Sequence, residues 1–140
     1  MIREIVTDDE ILSKPCDEGT AEDAAIVEDL IDTLKSLETA AGLAANQIGE
    51  TKRIVVYLDM KDNPHAMFNP VIKMALNPST VAEECLSHEG QYVTVKRFAK
   101  INVAYQELIN GQLVDRKRKF EGWTAQVIQH LVDHCNGKLV

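Results

Sequence analysis

The sequence predicts one α+β domain in which antiparallel strands lie between an N-terminal and a C-terminal helix. Three observations predict this class: helical spacing of apolar residues towards each end of the chain, runs of strand-forming residues between them, and an Asn-Gly pair between the last two runs. The chain has 140 residues, 45% of them apolar and 26% charged, which is enough to bury the core of one domain. We therefore expect residues 1–140 to form a single domain.

The first helix is predicted from about Ala21 to Glu38. Thr20 and Asp23 have the spacing of a capping pair, in which the side chain of each residue accepts a hydrogen bond from the backbone N–H of the other. Apolar residues then recur at helical spacing, at Ile26, Leu30, Leu34 and Leu37. This pattern indicates an amphipathic helix with one buried face.

Strand-like runs fill the middle of the chain. They cover Arg53–Leu58, roughly Met67–Ile72, and Gln91–Val95. Farther on, KINVAYQELI and QLVDRKRKF flank Asn110-Gly111, a dipeptide suited to the positive φ angles of a two-residue hairpin turn. The basic run Asp115–Lys119 is therefore predicted to be a solvated strand rather than a nucleic-acid patch.

The last helix is predicted from about Thr124 to Cys135. Asn136-Gly137 follows it, and glycine tolerates the left-handed conformation that commonly ends a helix.

Composition argues against several classes of protein. Acidic residues outnumber basic ones 22 to 15, and the formal charge of -7 disfavours a general nucleic-acid or anionic-membrane partner. No apolar run approaches the roughly 20 residues of a membrane span, and the charged first residues do not resemble a signal peptide. Cys16, Cys85 and Cys135 are too few and too scattered for a disulfide framework, so we expect a reducing cytoplasm.

Two histidines lie four residues apart in QHLVDHCNG, Gln129–Gly137. On a helix, His130 and His134 can direct ring nitrogens at one metal ion, although the same spacing also occurs among ordinary polar residues of a helix face. Cys85, within EECLS, is the candidate third ligand, since a thiolate and two imidazoles suit zinc or iron(II) with a fourth position for water. Alternatively, Cys85 is a small buried apolar residue.

The segment AAGLAANQIG, Ala40–Gly49, combines small residues with a side-chain amide. Such a segment lets a peptide approach the backbone, and Gln47 could donate a hydrogen bond to a developing oxyanion. The alternative is a tight packing turn between a helix and a strand.

Together these segments resemble the peptide deformylase family in order and spacing. GLAANQ (Gly42–Gln47) is similar to the family's GxGLAAxQ, EECLS (Glu83–Ser87) to EGCLS, and QHLVDHCNG to QHExDHLxG. The pattern from Glu121 to His130, and Arg97 twelve residues after the cysteine, also resemble the family. The resemblance covers nearly the whole chain and implies the family's fold, with antiparallel strands packed around a C-terminal metal-binding helix.

The resemblance also implies an activity and a cofactor. The family removes the N-formyl group from the initiator methionine of new polypeptides and releases formate, so the expected partners are formyl-methionyl N-termini of nascent chains. Cys85, His130 and His134 would be the metal ligands. Iron(II) is typical of the family, with zinc, nickel or cobalt as substitutes.

By the same resemblance, Gln47 and the backbone N–H of Leu86 would form the oxyanion hole. Gly42 would contact the substrate backbone, and Trp123 and Val127 would line the methionine pocket.

Two more residues have two interpretations each. Asp133 either orients a ligand histidine or is a solvated helix residue. Arg97 either pairs with Glu83 and braces the cysteine loop or is a surface arginine.

Three departures of the chain from the family's motifs bear on the site. Ala40 replaces the first glycine, Glu84 the glycine before the cysteine, and Leu131 the glutamate of the third motif. That glutamate takes a proton from water and delivers it to the leaving amine, and leucine can do neither. Leu131 lies on the same helix face as His134 and is expected near the metal.

General acid–base catalysis contributes about 10²–10⁴-fold, or roughly 3–5 kcal/mol, so we expect activity far below the family's level, or none. Three function classes follow: a sluggish deformylase, a non-catalytic metal-containing binder of formyl-methionyl or other peptide N-termini, and a metal-free structural or partner protein. A further hypothesis is that Glu84 replaces the lost base.

Overall fold

A computed structural model describes the whole chain, residues 1–140. The helices are α1 (Asp9–Leu12), α2 (Ala24–Lys35) and α3 (Gly122–Cys135). The strands are β1 (Gly42–Ala44), β2 (Ile54–Leu58), β3 (Pro64–Glu84), β4 (Tyr92–Ile109) and β5 (Gln112–Glu121). All five strands form one antiparallel sheet in the order β1-β2-β3-β4-β5.

The sheet has a hydrophobic core on each face, and β2 contributes to both. Val55 and Tyr57 pack into the core that includes α3, whereas Ile54 and Val56 pack into the core that includes α2. Successive residues of a strand point to opposite faces, so a strand covered on both sides needs an uninterrupted apolar sequence. This explains the run IVVYL, and the prediction of a strand here is confirmed.

The first helix begins as predicted. Thr20 and Asp23 form a capping box, in which the Thr20 N–H donates to the Asp23 carboxylate at 2.8 Å. A 3-10 turn at Ala21–Asp23 leads into α2, which ends at Lys35 and therefore earlier than the predicted Glu38.

The predicted short strands in the middle of the chain were wrong in their bounds. Met67–Ile72 is part of the 21-residue β3, and Gln91–Val95 overlaps the start of the 18-residue β4. These two strands pair from Phe68↔Gln106 to Glu84↔Tyr92. The predicted turn is confirmed, since Asn110 and Gly111 connect β4 to β5 with φ angles of 50° and 80°.

Helix α3 ends next to the N-terminal segment. Gly137 has a φ of 76°, as the helix-ending pattern predicts. A Cβ atom on this residue would lie 2.7 Å from the Ser13 carbonyl oxygen, so close packing also requires glycine here. None of the helices combines the length and apolar character needed to cross a membrane.

Candidate active site and metal centre

The side chains of Cys85, His130 and His134 converge, although the cysteine is far from the histidines in the sequence. Cys85 directly follows β3, and the histidines lie one turn apart on α3. Cys85 Sγ is 3.3 Å from His134 Nε2, which in turn is 3.1 Å from His130 Nε2. One donor atom of each residue lies within 4.8 Å of the others. A thiolate and two imidazoles in this arrangement fit a divalent ion such as zinc or iron(II).

Hydrogen bonds to buried amides hold α3 in the rotation that this convergence requires. Gln129 Nε2 donates to the carbonyl oxygens of Phe98 at 2.8 Å and Ala125 at 2.9 Å, and Gln129 Oε1 accepts from the Phe98 N–H at 2.8 Å. Asn46 Nδ2 donates to the His134 carbonyl at 2.9 Å. The helix is thereby fixed against β4 and against the turn after β1, with both histidine rings facing the thiol.

A buried charge network lies behind His130. Glu83 Oε1 is 2.8 Å from His130 Nδ1, and the same carboxylate accepts from Arg97 Nε and Nη2 at 2.9 and 2.8 Å and from Gln126 Nε2 at 3.0 Å. Arg97 Nη1 donates to Asp133 Oδ2 at 2.6 Å. The interpretation of Arg97 as the partner of Glu83 is therefore confirmed. The interpretation of Asp133 as the residue that orients a ligand histidine was wrong, because Glu83 makes the contact to His130 and Asp133 pairs with Arg97.

The two histidine rings differ in what orients them. The contact between His130 Nδ1 and Glu83 directs His130 Nε2 towards the other donor atoms, which is the common arrangement behind metal-binding histidines. His134 Nδ1 is buried without a hydrogen-bond partner. Its ring is instead positioned by packing and by the contacts that its Nε2 makes to Cys85 and His130.

Burial opposes the charged form of each group in this cluster, but hydrogen bonding outweighs it. Burial raises the pKa of Glu83, yet hydrogen bonds from His130 and Arg97 lower this pKa to about 2. Burial lowers the pKa of His130, yet its bonds to Cys85 and Glu83 raise it to about 9. Burial raises the pKa of Cys85, yet hydrogen bonds from His130 and His134 lower it to about 5. The sulfur is therefore a thiolate at neutral pH, the form that binds metal ions.

Hydrogen-bond donors lie beside the thiolate. Gln47 is in a 3-10 turn at Ala45–Ile48, and its Oε1 accepts from the Ala44 N–H at 3.0 Å. This bond fixes the amide orientation, so that Nε2 donates to Cys85 Sγ at 3.3 Å. Leu86 is the first residue of the turn after the cysteine, where a backbone N–H has no acceptor within the turn.

A cavity of about 600 Å³ opens beside the donor atoms. The residues that the resemblance assigns to the metal, the oxyanion hole, the substrate and the missing glutamate all line this cavity except His134, which is 1% exposed. Those that line it are Gly42, Gln47, Cys85, Leu86, Trp123, Val127, His130 and Leu131. A cavity of this size, with apolar walls and a few convergent polar groups, is typical of a small-molecule or peptide-end site.

Comparison with known proteins identifies the family. The family model for polypeptide deformylase matches residues 2–140.

The chain belongs to the polypeptide deformylase family.

Known deformylases resemble this chain along its whole length. A peptide deformylase of Clostridium beijerinckii is 40% identical over 141 residues, and the match covers 100% of both chains. The crystal structure of a peptide deformylase from Legionella pneumophila has a TM-score of 0.87 and 32% identity, and the match covers 99% of this chain and 83% of that one. The crystal structure of the peptide deformylase from Thermus thermophilus has a TM-score of 0.86 and 30% identity, and the match covers 99% of this chain and 84% of that one. The predicted α+β deformylase fold is confirmed.

Leu131 joins the wall of the deformylase cavity to the core beneath it. The residue is 2% exposed and packs into the core between α3 and the sheet. A Cβ atom on Gly42 would lie 2.8 Å from Leu131 Cδ1 and 2.9 Å from Val127 Cγ1, so these side chains would have to move to admit any larger residue. Position 131 therefore faces the cavity, as its spacing from His134 predicts, but it contributes an apolar group.

The sequence did not identify the residues that hold the three converging donor residues in place. Gln129 and Asn46 position α3, Gln126 adds a bond to Glu83, and Glu83 itself orients His130. The available signal was that each of these polar residues lies within, or one turn from, a segment that carries a predicted site residue.

Proposed function

We propose that this chain hydrolyses the N-formyl group from formyl-methionyl peptides, releasing formate, and does so slowly. The observation that supports this proposal most strongly is the convergence of one sulfur and two ring nitrogens beside the Gln47 amide, at one wall of a cavity. Members of the family act on the N-formyl ends of nascent chains. Formyl-methionyl N-termini of new polypeptides are therefore the proposed substrates, and no nucleic acid or membrane is required.

Cys85, His130 and His134 are the proposed metal ligands. The ion would be iron(II) in the cell, with zinc or nickel possible in the purified protein. A divalent ion held by this donor set supplies Lewis acidity and lowers the pKa of water to near neutrality. Glu83 supports the site by keeping the His130 ring in one orientation.

The other proposed roles concern the substrate. Gln47 Nε2 and the Leu86 N–H would donate to the formyl oxygen as negative charge develops on it. Gly42 would contact the substrate backbone. Trp123 and Val127, on the first turns of α3, would contact the methionine side chain.

Leu131 is the reason that we propose slow turnover. The amine must gain a proton as it leaves, and leucine has none to give. Metal and oxyanion donors are unaffected by this residue, so we expect a rate about 10²–10⁴-fold below that of a site with a positioned acid–base group.

The second candidate function is a non-catalytic binder of formyl-methionyl or other peptide N-termini that contains a metal ion. The burial of Leu131 against Gly42 favours this candidate, because it leaves the cavity formed but gives it no proton carrier. Glu84 as a replacement base stays a hypothesis, and unchanged turnover in Glu84→Gln would exclude it.

We further propose that residues 1–140 act as one domain in the cytoplasm. Support for a single domain comes from β2, since its residues pack into both hydrophobic cores.

The deciding experiment compares formate release by the wild type and by Leu131→Glu, both loaded with iron(II) under anaerobic conditions. We expect the glutamate to raise kcat for a formyl-Met-Ala-Ser peptide by about 10²-fold or more. Leu131→Gln is the matched control, since glutamine has the same shape but cannot carry a proton.

An equal rate in the glutamate and glutamine variants would contradict the acid–base account. If no variant releases formate and the wild type does not bind the product peptide Met-Ala-Ser, the proposed function is wrong.

A further inference from the structure

Two glutamates line the cavity on the loop that carries Cys85. Glu84 is the last residue of β3, and Glu89 follows the 3-10 turn at Leu86–His88. Both are exposed, and neither forms an ion pair within the chain. Glu84 Oε2 accepts from the Gly90 N–H at 2.6 Å, so its carboxylate is fixed where the two ends of the loop come together. We call Glu84 and Glu89 the acidic rim.

The charge of the acidic rim is not compensated within the cavity. No lysine or arginine lines the cavity. The third carboxylate there, Glu83, is already paired with Arg97 and His130. The rim therefore presents two free negative charges to anything that enters beside the donor atoms.

A formylated peptide has no charge at its N-terminus, so on a nascent chain the groups near that end that can respond to the rim are side chains. Short test peptides also carry a C-terminal carboxylate, which is the same in both and cancels in their ratio. The methionine is apolar, and the first residues that can carry charge are those that follow it. Opposite charges across a binding surface favour the matching partner and penalise the opposite sign.

We infer that Glu84 and Glu89 select substrates with lysine or arginine in the residues directly after formyl-methionine, and disfavour aspartate and glutamate there. This inference rests on the proposed function, because it assigns the cavity to formyl-methionyl peptides. It makes Glu84 a specificity residue rather than a replacement base. A base would change the turnover of every peptide alike, whereas a rim charge changes the ratio between peptides.

The test measures kcat/KM of the iron(II)-loaded enzyme for formyl-Met-Ala-Lys and formyl-Met-Ala-Glu. We expect about fivefold preference for the lysine peptide, the size of a contact between exposed charges, and a smaller preference at high salt. The double variant Glu84→Gln with Glu89→Gln should bring the ratio close to one. Glutamine keeps an acceptor for the Gly90 N–H, so the loop is preserved.

The double variant Glu18→Gln with Glu22→Gln is the matched control. It removes the same number of charges, two, from exposed glutamates near the start of the first helix, outside the cavity, and should leave the ratio unchanged. An equal loss of preference in this control would attribute the effect to the net charge of the protein and overturn the inference.

A binding measurement keeps the inference testable if turnover is too slow to compare. Trp123 is the single tryptophan of the chain and lines the cavity, so its fluorescence reports binding of the product peptides Met-Ala-Lys and Met-Ala-Glu. Tighter binding of the lysine peptide, lost in the double variant, supports the inference. Equal binding of both peptides overturns it while leaving the proposed function intact, and binding of neither contradicts the proposed function itself.

Discussion

Cys85 is the residue whose chemistry depends most on its neighbours. Its pKa falls from an ordinary value of 9 to about 5, because hydrogen bonds from His130 and His134 outweigh the effect of burial. We predict that ultraviolet absorbance of the metal-free protein will show a thiolate that titrates near pH 5. The difference between wild type and Cys85→Ser isolates this signal from the other two thiols.

The sign of the associated stability change follows from the same shift. The Cys85 thiolate is stabilised by protonated His130, whose own pKa is raised to about 9, so the pair stabilises the fold most between about pH 5 and pH 9. The contribution is lost as the pH falls through about 5, where the thiolate gains a proton, and as it rises through about 9, where His130 loses one. Cys16 and Cys135 have raised pKa values through burial and should not titrate in this range. A Cys85 midpoint near 9 would show that the histidines do not stabilise the thiolate.

Residue types predicted which three side chains converge at this site but not the residues that support them. His130 and His134 could be paired from their spacing, because a helix places them on one face. The contact between Glu83 and His130 depends on where the end of β3 meets α3, and no local pattern encodes that. The interpretation of Asp133 as the partner of a histidine failed for the same reason, since Asp133 on α3 instead pairs with Arg97, which lies on β4.

At the scale of elements, the position of α3 decides whether the site exists. Gln129 makes three hydrogen bonds that join α3 to β4 and to its own previous turn. We predict that Gln129→Ala will lower the free energy of unfolding by about 1–3 kcal/mol, because it removes the hydrogen-bond partners of the half-buried Phe98 N–H and C=O. Chemical denaturation of the metal-free protein measures this loss.

The same variant should weaken metal binding, since the histidine rings lose their fixed rotation. Thr124→Ala on the same helix is the control, because the Thr124 side chain makes no hydrogen bond. If Gln129→Ala binds zinc as tightly as this control in a chelator competition, then packing alone positions α3.

Helices and strands with a buried apolar face could be predicted from their own sequence pattern. Strand residues that are held by pairing with a neighbouring strand could not. β2 and both long helices carry apolar patterns that fix their identity. The second half of β3, from residue 73 to 84, is mostly exposed and mixes polar with apolar residues, and it is a strand because it pairs with β4. Strand preference of this kind depends on context, so the sequence indicated a strand that ended too early.

At the scale of the whole molecule, the proposed metal ion would join parts that are distant in the chain. The loop after β3 supplies the sulfur, α3 supplies both imidazoles, and the turn after β1 supplies Gln47. An ion that binds the folded state but not the unfolded chain stabilises the fold by mass action. At free metal a hundredfold above Kd, this amounts to about 3 kcal/mol.

We therefore predict that adding zinc to the metal-free protein will raise Tm by on the order of 10 °C, and that a chelator will reverse the shift. Cys85→Ser removes the sulfur and should abolish most of the shift, whereas Cys16→Ser removes a thiol outside the cluster and should retain it. The acidic composition of the chain offers other weak sites for cations, with a formal charge of -7. An equal shift in wild type and Cys85→Ser, read by differential scanning calorimetry, would place the ion at such a site instead. A shift that needs the Cys85 sulfur means that the ion holds the end of β3 and α3 together, so metal content sets the stability of the protein.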